Sequence, residues 1–234
     1  MAALSTSSTV AELVLERPSR ARVFEQLGLD YCCGGKRSLE DACRRRGLDA
    51  GTVLTMLSAA EQESVEPATD WVEAPLGELC DHIVERHHEY LRRELPRLST
   101  LLEKVERAHG KDLSTARDLR ATFEQLRTAL EQHLADEEQE LFPAIRVLEK
   151  GGELDGSFAA AVAASEAEHD DVGELLEALS ALTGGYDTAR ALCNTHRATL
   201  EALHELELDL HRHVHEENNI LFPRALARAA PLPG

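Results

Sequence analysis

Two stretches carry residue types that could do chemistry at a useful spacing: HLADEEQELFP at 133–143 and HVHEENNILFP at 213–223. Both follow the skeleton HxxxExxxLFP. On an α-helix, residues four apart lie about 40° from one another around the axis, so His133 and Glu137, and again His213 and Glu217, point the same way. Each pair is a two-ligand claw. A lone imidazole stands upstream of each claw, His88 in ERHH and His169 in EAEH. His88 to His133 is 45 residues and His169 to His213 is 44, while the offsets between copies are 81, 80 and 80 for the lone His, the claw His and the claw Glu. The repeat predicts two related helix pairs, each giving one lone His and one claw, with six side chains converging on a shared interior.

All six occupy places where a leucine would normally sit. One stripe runs Leu126, Leu130, His133, Glu137, Leu141, and its copy runs Leu206, Leu210, His213, Glu217, Leu221. His88 lies between Val84 and Leu91 on a line continuing to Leu95, Leu98 and Leu102, and His169 lies between Val162 and Leu176. Burying unpaired carboxylates and imidazoles costs several kcal/mol each, and a cation offsets that cost directly. Imidazole with carboxylate and no thiolate suits iron or manganese, with zinc a further option. Six ligands are too many for one four-coordinate zinc and too few to saturate two six-coordinate irons, so open positions for oxygen, nitric oxide or hydroxide follow. A rival set reads Glu85 with His88 and Glu166 with His169 as the ExxH motifs of ferritin-like bundles, keeping Glu137 and Glu217 as single carboxylates. Glu168 is a further carboxylate, inner or outer. The other histidines (His82, His87, His109, His196, His204, His211 and His215) fall off the stripe or near helix ends and read as solvated surface.

Four long helices must position the claws. Apolar periodicity and glycine stops place them near 75–108, 114–150, 156–182 and 188–229, with Asp155 and Asp187 as caps. Short connections between long helices give an up-down-up-down bundle. Pro143 and Pro223 predict an interruption and restart after the Phe of each claw. Ahead of the bundle, residues 1–8 read as frayed. Four short helices follow: STVAELVLERP, SRARVFEQLG capped by Ser19 and closed by Gly28, SLEDACRRRG, and LDAGTVLTMLSAAEQE. LDYCCGGK reads as a turn with Leu29 and Tyr31 tucked inward. The fold class is therefore all-α, with a small helical domain at 1–62, a linker at 63–74 and the bundle at 75–230.

Composition narrows the function classes. An aromatic content of 4% with abundant Leu, Ala, Glu and Arg favours helix throughout. A net charge of −18 argues against nucleic acid and against an anionic membrane face as partners. No apolar run approaches the roughly 20 residues of a membrane helix, and the N-terminus lacks a basic segment followed by an apolar core, so a cytoplasmic location is expected.

Five cysteines (Cys32, Cys33, Cys43, Cys80 and Cys193) form no framework and no CxxC pair, which fits a reducing compartment. Cys43, Cys80 and Cys193 read as buried or incidental. The vicinal Cys32 and Cys33 could not bridge one another without strain. They are either two thiols packing a turn or a functional thiolate pair whose reactivity Lys36 and Arg37 would raise.

HxxxExxxLFP in a four-helix bundle, with lone His residues on the alternate helices, resembles the hemerythrin-like fold. DYCCGGK with its short helices resembles the N-terminal domain of the iron–sulfur cluster repair di-iron proteins of RIC or ScdA type. SEAEHDDVGELLE and HEENNILFPRAL extend the likeness over nearly the whole chain. The resemblance implies two non-haem irons held by His88, His133, His169 and His213, bridged by Glu137, Glu217 and an oxo or hydroxo group. It also implies a role for Cys32 and Cys33, damaged iron–sulfur proteins as partners, and a homodimer. Three functions stay open: a stress-response protein restoring damaged clusters by supplying iron or removing nitric oxide, a nitric oxide or oxygen reductase, and a gas sensor or carrier.

Overall fold

The computed structural model describes residues 4–32, 34–63, 70–111, 113–154 and 156–230. Cys33, the expected cap Asp155, and residues 64–69 of the expected linker lie outside them. No β-strand is found among the described residues, and none of their helices is long and apolar enough to cross a membrane.

Four short helices build the first unit: α1 (Val10–Glu16), α2 (Ala21–Leu27), α3 (Leu39–Arg46) and α4 (Ala50–Glu63). Thr9 opens α1 with a capping box, its hydroxyl accepting from Glu12 N while Glu12 accepts from Thr9 N. Ser38 caps α3 in the same way by accepting from Asp41 N. Gly28 and Gly47 close α2 and α3 in the left-handed region, φ 62° and 68°, where a Cβ would be strained. Ser19 does not cap α2: it lies inside a short 3₁₀ turn, Pro18–Arg20, that leads straight into the helix. Residues 5–9 are not frayed either. Ser8 and Thr6 carbonyls accept from Leu39 N and Glu40 N at 2.9 and 3.0 Å, tying the chain start to α3.

The turn that carries Cys32, Gly34 and Gly35 is held from two sides. Asp30 accepts from Cys32 N and Gly34 N at 2.9 and 2.7 Å, and also from the Cys32 thiol at 3.2 Å. Carbonyls of Gly35 and Arg37 then take the first amides of α1, Ala11 N and Val10 N. A Cβ on Gly34 would stand 2.5 Å from Asp30 Oδ2, and one on Gly35 2.5 Å from the Tyr31 carbonyl. Only glycine lets the strands of this turn close so tightly. Leu29, Tyr31 and Cys32 are buried, as are Cys43 and Cys80.

Four rods make the second unit. The first is α5 (Leu76–Ile83), a π turn (Val84–His88) and α6 (Glu89–His109); the second is α7 (Ala116–Asp136), a π turn (Glu137–Leu141) and α8 (Phe142–Glu149). The third is α9 (Phe158–Thr183); the fourth is α10 (Asn194–Glu216), a π turn (Glu217–Leu221) and α11 (Phe222–Ala229). Helix α6 packs against α7 and α10, and α7 against α9, giving the all-α up-down bundle. The expected interruptions occur, but upstream of the Phe. Pro143 and Pro223 sit in the first turn of the helix that restarts after each π turn, where a missing amide hydrogen costs least. Asp187 caps only a 3₁₀ turn (Thr188–Arg190), and α10 instead starts from Cys193, whose sulfur accepts from His196 N at 3.4 Å.

Apolar side chains fill the bundle in two blocks. One gathers Leu91, Leu95, Phe123, Leu130, Leu176 and Leu210; the other gathers Leu79, Ile83, Phe142, Ile145, Val162 and Phe222. Between them, at the level of the π turns, lies a polar layer.

Candidate metal centre

The polar layer is made of the six predicted residues. His88, His133, Glu137, His169, His213 and Glu217 are brought together, none more than 3% exposed. The π turns deliver three of them. His88 ends the first, and Glu137 and Glu217 begin the other two, so the extra residue of each π turn sets a ligand where α geometry would set an apolar neighbour.

Distances sort the six into two groups. His88 Nε2 and His213 Nε2 are 3.1 Å apart, and so are His133 Nε2 and His169 Nε2. Glu137 Oε2 faces His88 at 3.4 Å and His133 at 3.3 Å, whereas Glu217 turns Oε1 to His213 at 3.0 Å and Oε2 to His169 at 3.2 Å. Each carboxylate thus serves both histidine pairs. One donor atom from each of His88, Glu137, His213 and Glu217 falls within 4.8 Å of the others, and the same holds for His133, Glu137, His169 and Glu217. Both four-residue sets could hold a metal ion.

Electrostatics fit a cation here. Glu137 Oε2 and Glu217 Oε2 are buried and have no hydrogen-bond donor, a costly state that a metal ion would relieve. Burial, then the negative charge of Glu217, pushes the Glu137 carboxyl well above the usual range. Burial also acts to raise Glu217, but His213 and His169 outweigh it and hold that carboxyl well below the range. Burial and the charge of His213 lower His88 to about 2, and burial with His169 lowers His133 to about 4. Those imidazoles are neutral at pH 7 and can donate to a metal.

Outer partners set the tautomers. Glu138 lies 2.7 Å from His88 Nδ1, Glu168 2.8 Å from His133 Nδ1 and Asn218 Oδ1 2.8 Å from His169 Nδ1, which places the proton on Nδ1 and turns the Nε2 atoms inward. Glu168 is therefore an outer carboxylate. Glu138 and Asn218 were missed by spacing arguments, although each directly follows a claw Glu and the repeat itself marks them. The Phe of each LFP stacks on the lone His of the neighbouring rod, Phe142 on His88 at 5.6 Å and Phe222 on His169 at 6.1 Å.

The ExxH rival fails on geometry. Glu85 is exposed, and Glu166 faces Lys36 of the first unit at 3.6 Å. The expectation that the remaining histidines are solvated also fails for three of them. His87, His196 and His215 are 2%, 4% and 5% exposed. Burial acts to lower His87, but the carboxylates of Asp209 and Glu216, 3.1 and 3.6 Å away, outweigh it and raise it to about 9.

Two family models match this chain. One, described as "Hemerythrin HHE cation binding domain", covers residues 81–225; the other, described as "Domain of Unknown function (DUF542)", covers residues 6–61. The iron–sulfur cluster repair protein YtfE of Enterobacter sp. (strain 638) is 38% identical over 218 residues, 93% of this chain and 96% of the relative. The protein of the same name from Yersinia pseudotuberculosis serotype IB is 38% identical over 220 residues, 94% and 97% of the two chains. The chain belongs to this family.

In this member the cysteine turn rests on the outer face of α10. Arg212 grips Glu25 through two bonds of 2.9 Å, and Glu25 also accepts from the Tyr31 hydroxyl at 3.0 Å. His215 Nδ1 donates to the Tyr31 carbonyl at 3.2 Å, and Asn219 donates to the Cys32 carbonyl at 3.4 Å. Arg212, His215 and Asn219 succeed one another at steps of three and four along one helix face. Across the bundle, an open cavity of about 340 Å³ reaches Glu137 and Ser165, with Asp136, Glu140 and Glu168 around it.

Proposed function

We propose that this chain holds two non-haem irons in its polar layer and restores iron–sulfur clusters damaged by oxidative or nitrosative stress by giving up that iron. His88 and His213 would hold one ion, His133 and His169 the other, with Glu137 and Glu217 bridging both. The observation that carries the reading is the pair of four-donor sets sharing two carboxylates, each with a buried oxygen that has no hydrogen-bond donor. The name carried by the relatives supports the repair role, and the donor chemistry, imidazole with carboxylate, suits iron.

Bound there, iron would supply Lewis acidity and redox change at positions the protein leaves open. The chain's own part is to keep His88 and His133 neutral, to turn four Nε2 atoms inward, to exclude water with Phe142 and Phe222, and to carry a proton on the Glu137 carboxyl whenever the metal is out. Glu137 is also the ligand that the open cavity reaches. Three carboxylates around that cavity, Asp136, Glu140 and Glu168, favour passage of a cation over that of a neutral gas. This supports iron donation over gas turnover, with nitric oxide or oxygen as secondary ligands. A cytoplasmic homodimer remains part of the reading on family resemblance alone.

Metal analysis with Mössbauer spectroscopy tests it. About two irons per chain with a coupled di-iron signal are expected in the wild type, together with recovery of an inactivated cluster enzyme on mixing. Anaerobically purified protein without iron, or gas turnover with an electron donor but no recovery of clusters, would defeat it.

A further inference from the structure

Beside the polar layer, between the first and fourth rods, lies a second cluster that shares no donor with it. His82 comes from α5, His87 from the π turn, and Asp209 and Glu216 from α10. His82 Nε2 is 3.4 Å and His87 Nε2 3.6 Å from the same atom, Glu216 Oε2, and one donor atom from each of the three residues lies within 4.8 Å of the others. A tetrahedral ion with metal–ligand bonds of about 2.0–2.1 Å sets its donors about 3.3–3.4 Å apart. The separations of 3.4 and 3.6 Å lie at that edge and 0.2 Å beyond it.

Polar atoms are left over in the cluster. Glu216 Oε2, His87 Nδ1 and Asp209 Oδ2 are buried without a hydrogen bond, although His87 Nδ1 lies 3.1 Å from Asp209 Oδ1. Asp209 thus stands where a carboxylate stands behind a metal-bound histidine, taking the Nδ1 side and leaving Nε2 for the ion. The internal repeat sharpens the point. His87 precedes His88 as Glu168 precedes His169, yet the two residues serve different ends. Glu168 orients the claw imidazole His133, whereas His87 lies flat over the claw imidazole His213, centroids 5.3 Å apart and planes 2° apart, and leaves His213 Nδ1 without a partner. One copy has given up an orienting carboxylate and gained a donor for the second cluster.

We propose that His82, His87 and Glu216 bind one divalent transition-metal ion of the zinc class, with Asp209 behind His87. Two imidazoles and one carboxylate leave a fourth position for water, on the side of His82, which is 28% exposed. The inference does not depend on the proposed di-iron reading. The chain supplies its own reporter, because its one tryptophan, Trp71, lies tilted by 31° over His82 with centroids 4.3 Å apart.

The test uses Co²⁺ as the probe on the full-length protein as purified, comparing wild type with His82→Ala and His82→Cys. Wild type is expected to take up one more Co²⁺ per chain than His82→Ala, with Trp71 emission quenched several-fold in step and no iron released. His82→Cys, which keeps a donor at that place, should restore the uptake and add a thiolate-to-cobalt absorption band. Three results would each overturn the site. They are equal cobalt uptake by wild type and His82→Ala, uptake matched ion for ion by iron release, and a His87 ring bearing both protons in NMR spectra of the cobalt-treated protein.

Discussion

Glu138 takes the Nδ1 proton of His88 across 2.7 Å, reaching it from a different rod of the bundle. Asn218 does the same for His169 at 2.8 Å from the equivalent place in the second copy. A carboxylate makes its histidine a better donor than an amide does, so the two partners are unequal. Glu138→Ala is expected to weaken metal retention by about 10- to 100-fold and Asn218→Ala by less. Iron loss to a competing chelator, timed for each variant, measures this; equal loss from both would show that the charge of Glu138 does not matter.

Glu137→Leu separates metal binding from packing. Losing a carboxylate that faces both histidine pairs should remove both ions together, with no species retaining one. In the metal-free state the same change removes an orphaned oxygen but strands the Ser165 hydroxyl, which donates to the other oxygen at 3.2 Å, so stability should change by no more than about 1 kcal/mol. Thermal unfolding in chelator reads this as a midpoint within about 4 °C of wild type. Retention of a di-iron signal would show that Glu137 is not a metal ligand.

Acid should weaken the metal-free protein from about pH 6.5 downward. His88 and His133 are depressed to about 2 and about 4, so below 6.5 the unfolded chain binds protons that the folded chain does not, and stability falls with pH. His87, raised to about 9, has the opposite sign: its contribution is full below 6.5 and is lost as pH climbs through 9. Urea midpoints against pH for wild type and His88→Gln test the first statement. The variant should show a shallower fall between pH 4 and pH 6.5.

Metal loading should release a proton. Glu137 is held above the usual carboxylate range in the empty centre, so occupancy by a cation must displace the proton it carries. Iron titration in a weakly buffered indicator solution is expected to show acidification that Glu137→Leu abolishes.

Docking of the cysteine turn hangs on Arg212 and Glu25. Glu25 has 7% of its side chain exposed and Arg212 41%, so Arg212→Ala strands a mostly buried carboxylate while removing a partly solvated cation. The expected cost is about 1 kcal/mol after allowance for screening. Faster hydrogen exchange at Gly34 and Gly35 than in wild type, with unchanged exchange in α9, is the signature to look for.

Much of this architecture is legible in the residues alone. Six polar side chains on leucine stripes, repeated at matching offsets, announce the layer because only a cation makes such placement affordable. What periodicity could not deliver has two physical sources. The π turn at Val84–His88 inserts an extra residue, so reckoning from His88 back to His82 at 100° per residue loses phase, and both His87 and His88 end up buried. His215 does point away from the centre, as helical geometry requires, but away means into the first unit, where the Tyr31 carbonyl and ring cover it. The docking of one unit on another leaves no mark in a helical wheel.

The division of the bundle core into two apolar blocks makes the molecule a pair of clamps joined at a hydrophilic waist. Four imidazoles and two carboxylates hold that waist well only around positive charge, so emptying it softens all four rods at one level. If the proposed ions are held there, unloading them and loosening the fold are one event.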